Sequence, residues 1–138
     1  MTNAAWGGDA PRIFETGASR NSTIDKIAYE GFLSPLVLER FGRYMHRHRH
    51  LEDGSLRDPD NWQKGIPLAS YMDSAWRHFM DMWFYHRGHP DLAHEEQQEA
   101  LCGLMFNAMG YLHELLKQDK QFEPLAKVGA MTRQSREF

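Results

Sequence analysis

The sequence predicts an all-α protein: a small helical bundle with an extended N-terminal arm and a long loop between the first two helices. Every segment with a clear apolar periodicity repeats at helical spacing. The glycine- and proline-rich stretches fall between those segments, where breaks belong. The 138 residues, 41% of them hydrophobic and 12% aromatic, suffice to bury one core.

Residues 1–24 are rich in Gly, Ala, Asn, Ser and Thr, and read as an arm pinned by Trp6 and Phe14. Residues 25–138 read as a single helical domain. Its first helix starts after Ser34, with Pro35 in the first turn and Leu36, Val37, Phe41 and Tyr44 on one face. That helix fades through His46-Arg47-His48-Arg49-His50. Gly54, Pro59, Asn61, Gly65 and Pro67 then punctuate a long loop over 51–67. Loops of that length inside compact domains are functional or mobile more often than idle.

The second helix covers 68–86, with Leu68, Met72, Ala75, Trp76, Phe79 and Trp83 in one broad stripe. Asp73, Arg77 and Asp81 follow at i,i+4 steps on the other side. Gly88-His89-Pro90 ends it, and Asp91 is placed to cap a third helix over about 91–118. In that helix Leu101, Leu104, Met105, Ala108, Leu112, Leu115 and Leu116 form the expected core face. The reverse face collects Glu96, Glu99, Gly103, Asn107, Gly110 and Glu114. Each internal glycine costs about 1 kcal/mol relative to alanine, so the two suit close approach of a backbone or ligand. A short tail helix is expected around 122–132.

The formal charge of −3 argues against a protein held to nucleic acid by its overall charge, and no nucleic-acid partner is expected. A lone Cys102 leaves no internal disulfide and no cysteine-rich zinc module. No apolar run spans a bilayer and the N-terminus has no signal-peptide core, so a cytoplasmic protein without a membrane partner is expected.

Four groups of residues can carry chemistry. Glu95, Glu96 and Glu99 cluster before and within the third helix. Clustered carboxylates repel, a penalty that a hard divalent cation such as Mg²⁺ reverses; alternatively they complement the helix dipole and face water. Arg77 and His78 lie beside Asp73 and Asp81, either as a surface ion-pair ladder or with Arg77 as a phosphate fork and Asp81 as a metal ligand. The run His46, His48, His50 reads as a solvated helix end, a basic loop near phosphates, or a zinc site. Trp62, in Asn61-Trp62-Gln63-Lys64-Gly65, either pins its loop to the core or stacks on a base.

Glu15-Thr16-Gly17-Ala18, Asn61-Trp62 with Gly65, Asp73-Ser74-Ala75-Trp76-Arg77-His78, and Asn107-Ala108 beyond Glu99 occur in an order that resembles a known family. It is the phage-borne dATP/dGTP diphosphohydrolase N-terminal domain family, itself similar to the all-α, MazG-like nucleotide pyrophosphohydrolases. The resemblance spans about residues 14–116. It implies cleavage of purine deoxynucleoside triphosphates, dATP or dGTP, to monophosphate and pyrophosphate, with Mg²⁺ (Mn²⁺ as substitute) on helix carboxylates. Carried over, Glu99, Arg77 and His78 are the catalytic residues and Asn61, Trp62, Lys64 and Asn107 bind substrate. Glu95, Glu96, Glu99 and Asp81 are the metal ligands. The host cytoplasm and a homo-oligomer are the expected setting.

The chain departs from the family pattern at Ala100, where many relatives carry His, in its longer loop with the histidine run, and in lacking an ExxD partner for Glu95-Glu96-Gln97-Gln98-Glu99. The alternative is a nucleotide- or protein-binding module without catalysis on the same scaffold.

Overall fold

The computed structural model describes residues 10–23 and 25–119. Trp6 and the tail helix expected around 122–132 lie outside them. The chain separates into two compact units, divided between Phe32 and Leu33.

In the first unit, strands β1 (Arg12–Ile13) and β2 (Ser19–Arg20) pair antiparallel, Arg12 opposite Arg20 and Ile13 opposite Ser19. The described part of the arm is thus folded back rather than extended. Gly17 makes the reversal, at φ 86°, a left-handed conformation that glycine adopts without a Cβ penalty. Phe14 accepts from the Gly17 N–H at 2.8 Å and donates to the Ala18 carbonyl at 2.8 Å. The Arg12 guanidinium sits 5.6 Å from the centre of the Phe14 ring. A single helical turn, α1 (Tyr29–Phe32), follows.

The second unit begins with α2 (Pro35–Arg47), where Ser34 Oγ accepts from the Val37 N–H at 3.3 Å and Pro35 occupies the first turn. Helix α3 (Leu68–His86) has the bounds its periodicity predicts. Helix α4 (Gln97–Gln118) starts later than expected. Pro90–Leu92 form a 3₁₀ turn, Ala93 is extended, and Glu96 is the N-cap at φ −68°, ψ 155°. The local cause is Asp81 Oδ1, which accepts the His94 N–H at 3.1 Å and holds the chain out of helical geometry. Glu95 therefore lies outside the helix. The class is all-α, with one two-stranded hairpin.

The orientation of α4 reverses the expectation. Its apolar face was expected to be core, yet Leu101, Met105, Ala108, Leu112, Leu115 and Leu116 are exposed, and Leu104 is half-buried. Gly103, Asn107, Gly110 and Glu114 are buried against antiparallel α3. The physical reason is shape. A Cβ on Gly103 would come within 2.5 Å of the His78 ring, and one on Gly110 would collide with the edge of the Tyr71 ring. The glycines are sockets for two rings of α3. Two polar groups on this face are satisfied locally: Asn107 Nδ2 donates to the Gly103 carbonyl at 2.7 Å, and Glu114 accepts from Lys117 at 3.2 Å. Tyr71 is the largest fully buried side chain.

Alanine gains about 1 kcal/mol of helix propensity over glycine, whereas overpacking a tight site costs about 1–3 kcal/mol. Gly110→Ala is therefore expected to lower Tm, while Gly42→Ala in α2, where a Cβ meets nothing within 4 Å, raises it. Thermal melts of the two variants check the opposite signs.

Candidate functional site

The long loop is built rather than loose. After α2, the chain turns back at Gly54 (φ 84°), with Asp53 accepting from the Ser55 N–H at 2.9 Å and from its hydroxyl at 2.5 Å. His50 bridges to Leu56, and Arg57 N–H donates to the Arg49 carbonyl at 2.8 Å. Arg49 Nε returns a bond to the Arg57 carbonyl at 2.7 Å, and Arg57 Nη1 donates to the His48 carbonyl at 3.0 Å. This small hairpin carries two guanidinium groups to the end of α2. The next segment, a 3₁₀ turn over Asn61–Lys64, is fixed on α4 by Lys117 Nζ, which donates to the Gln63 carbonyl at 3.2 Å.

Between these parts lies a cleft of about 490 Å³, lined among others by His46, His48, Arg49, Arg57, Asn61 and Trp62. Phe106 of α4 forms part of its wall. Trp62 does pin its loop: its ring meets Phe106 edge-on at 6.2 Å and His113 at 4.8 Å. It also lines the cleft. Among the described residues, neither Arg49 nor Arg57 makes an ion pair. The lining also includes the Asp58 carboxylate, so two guanidinium groups, one amide and flat aromatic walls stand with a single negative charge, an arrangement that suits an anion joined to a planar ring.

His48 of this cleft also feels the charge of Glu95, which lines a second one. Its ring packs on Tyr44 at 4.2 Å. Burial and then the neighbouring Arg47 lower its pKa below the ordinary histidine value, while Glu95 acts to raise it. Burial, and then the Glu95 charge, raise the Tyr44 pKa. Glu95 and His78 belong to a cleft of about 560 Å³ with Arg77, Asp81 and His94. There, Glu95 Oε1 bonds His78 Nδ1, and Tyr85 Oη donates to the Glu95 carbonyl at 3.0 Å. Asp81, buried, faces exposed His94 at 3.3 Å.

The expected ladder of Asp73, Arg77 and Asp81 does not form. Arg77 donates to Ser74 Oγ at 2.9 Å, and Asp81 turns inward to His94. Glu96 and Glu99 line a different cleft, with Arg40, Arg43 and Arg47. Glu99 Oε1 accepts from Arg40 Nη2 at 2.8 Å and from Arg47 Nη2. Asn107 is buried under α3, and Lys64 is exposed outside the main cleft.

Of the residues assigned from the resemblance, the structure thus brings Asn61 with Trp62, and Arg77 with His78, Asp81 and Glu95. It leaves Glu96, Glu99, Asn107 and Lys64 elsewhere. Magnesium takes oxygen ligands in near-octahedral array. Among the described residues, no three His, Cys, Asp or Glu side chains form such a group. Glu95, Asp81 and Glu99 already serve ring or guanidinium partners, so this set does not fit the ion as arranged.

Arg57 and Phe106 are two of the cleft residues that sequence reasoning missed. Neither has a spacing signal, because a hairpin and a helix packing bring them there. Comparison with protein-family models, with curated proteins and with solved structures returns no match to this chain. Among the described residues, no helix is long and apolar enough to cross a membrane.

Two predictions follow from these geometries. The folded chain binds the His48 proton less readily than the unfolded chain. Its contribution to stability is therefore fully present above about pH 6.5 and lost as pH falls through the folded pKa. His48→Gln should flatten the decline of Tm between pH 7 and 5, and an unchanged slope would contradict the assignment. Glu99→Gln, which removes the charge shared by Arg40 and Arg47, is expected to cost about 1–3 kcal/mol in urea denaturation.

Proposed function

We propose that this chain binds a nucleoside triphosphate in the cleft between the end of α2, the loop and α4. The observation that carries the reading is the joint presence of Trp62 and Phe106 with Arg49, Arg57, His46 and His48 around one 490 Å³ space. Arginine forks match phosphate oxygens in pairs. Aromatic faces stack on bases at about 1–3 kcal/mol each. Asn61 adds an amide that both donates and accepts, as a base edge requires.

Hydrolysis of a purine deoxynucleotide to monophosphate and pyrophosphate is the activity that the resemblance suggests for such a ligand. His78, oriented by Glu95 through Nδ1, is the group best arranged to take a proton from water. Arg77 lines the second cleft with His78, apart from the one lined by Trp62 and Arg57, and supplies a cation there for a phosphate. A second reading, binding without turnover, is favoured by Glu99, whose carboxylate is engaged by two arginines instead of standing ready for a metal.

Calorimetric titration with dATP, dGTP, ATP and dCTP tests the shared part of both readings. Saturable binding is expected, weakened about tenfold to a hundredfold by Arg57→Gln. No binding by the folded wild type overturns both. Pyrophosphate release, followed with Mg²⁺, Mn²⁺ or EDTA, then separates them. Release that His78→Ala abolishes supports hydrolysis; binding with no release in any condition supports the module.

A further inference from the structure

Gly42, Gly103 and Gly110 lie inside helices of the second unit, and packing explains only two of them. Gly103 and Gly110 receive rings of α3, whereas a Cβ on Gly42, in the middle of α2, meets no atom within 4 Å. Glycine is unfavourable inside a helix, so a position that keeps it without a packing contact needs another reason. Gly42 and His46, one turn apart, line two clefts at once. On one side is the cleft of Arg49, Arg57, Trp62 and Phe106. On the other is a cleft of about 560 Å³ with Arg40, Arg43 and Arg47. Bare backbone at Gly42 keeps the ridge between them low, and a ligand chain can cross there.

The arginine cleft holds an anion of the protein's own. Glu99 Oε1 accepts from Arg40 Nη2 at 2.8 Å and from Arg47 Nη2, so one oxygen bridges two guanidinium groups. Phosphate oxygens suit the same position between arginine forks. The bridge is within reach of solutes, because the Arg47 side chain is 60% exposed. Arg40 also donates through Nε to Gln98 at 3.0 Å, and Arg43 pairs with Glu39 at 2.8 Å. Glu39 and Glu96 line the cleft with Glu99, so three arginines balance three glutamates in formal charge. An entering anion must therefore outcompete Glu99. A terminal phosphate brings a charge of about −1.5 to −2 and three strong acceptor oxygens, against a single carboxylate charge.

We infer that Arg40 and Arg47 form a polyphosphate subsite, which Glu99 occupies in this structure and yields to the outer phosphates of a nucleotide crossing at Gly42. The inference rests on the nucleotide reading of the Trp62 cleft, where Arg49 and Arg57 hold the phosphate nearest the sugar. A nucleoside triphosphate is long enough to gain the subsite, and a monophosphate does not reach it. Glu99 thus neutralises the two arginines and sets the threshold that an incoming anion has to exceed.

Calorimetric titration of the full chain with dAMP, dATP and inorganic tripolyphosphate tests this. The wild type should bind dATP at least about tenfold more tightly than dAMP. Glu99→Gln removes the competing charge; it should tighten dATP and tripolyphosphate by about tenfold and leave dAMP unchanged. Arg47→Gln, at an exposed position, should bring dATP close to dAMP. Gly42→Leu should close the crossing, reducing the preference for dATP while sparing tripolyphosphate. Circular dichroism confirms that each variant is helical, and the last two keep the test decisive if Glu99→Gln does not fold. An ion pair with only a structural role gives weaker or unchanged binding in folded Glu99→Gln, and that result overturns the inference. So does equal wild-type affinity for dAMP and dATP, or a preference for dATP that survives both Arg47→Gln and Gly42→Leu. If neither nucleotide binds, the nucleotide reading fails, and tripolyphosphate, which has no base, still reports on the arginines. Its binding, strengthened by Glu99→Gln, then supports the subsite, and its failure to bind overturns it.

Discussion

Two rings of α3 seated in two glycine gaps of α4 set the geometry on which the rest of the second unit depends. Tyr71 over Gly110 and His78 over Gly103 are seven residues apart on each helix, two turns, so both sockets fall on one line. That line decides which faces meet. With His78 held at Gly103, its Nδ1 is presented to Glu95, and the chain before α4 is drawn to Asp81 through His94. The same packing turns Phe106 toward Trp62 and so anchors the loop that walls the cleft. Ring-in-socket packing is sensitive to single methylene groups because interiors have few voids.

Electrostatics then fixes the surroundings. Each carboxylate near the sockets has its own partner: Glu95 with His78, Asp81 with His94, Glu99 with Arg40 and Arg47, Glu114 with Lys117. Pairing removes the mutual repulsion that a cluster of glutamates otherwise carries. It ties α2 to the start of α4 through Glu99. The cations of the hairpin, Arg49 and Arg57, spend one donor each on backbone carbonyls. Five donors per guanidinium leave the remaining N–H groups for an anion in the cleft.

The price of the glycine-lined interior is a small amount of buried apolar surface within one copy of the unit. An all-helical unit gains most of its stability from burying an amphipathic stripe, not from helix propensity. Here the stripe that does so in most helices faces outward.

Much of this was legible in the sequence. The all-helical class, the bounds of α3, the start of α2 with Pro35 in its first turn and its end within the histidine run follow from periodicity and local sequence, which depend on near neighbours alone. The paired glycines were also legible as a surface of close approach, because no solvated face requires them. What only tertiary structure decided is what approaches them: aromatic rings of α3 rather than a ligand, with Leu101 to Leu116 left outside. Periodicity shows that a helix has two faces but not which one a neighbour takes, since that depends on the shape of the other helix. The same holds for the site. Asn61 and Trp62 could be read from their loop, but Arg57 and Phe106 join them only through a turn at Gly54 and a packed helix. Glu99 reads in sequence as a metal ligand or a carboxylate facing water; two arginines from α2, distant in the chain and adjacent in space, engage it in the structure.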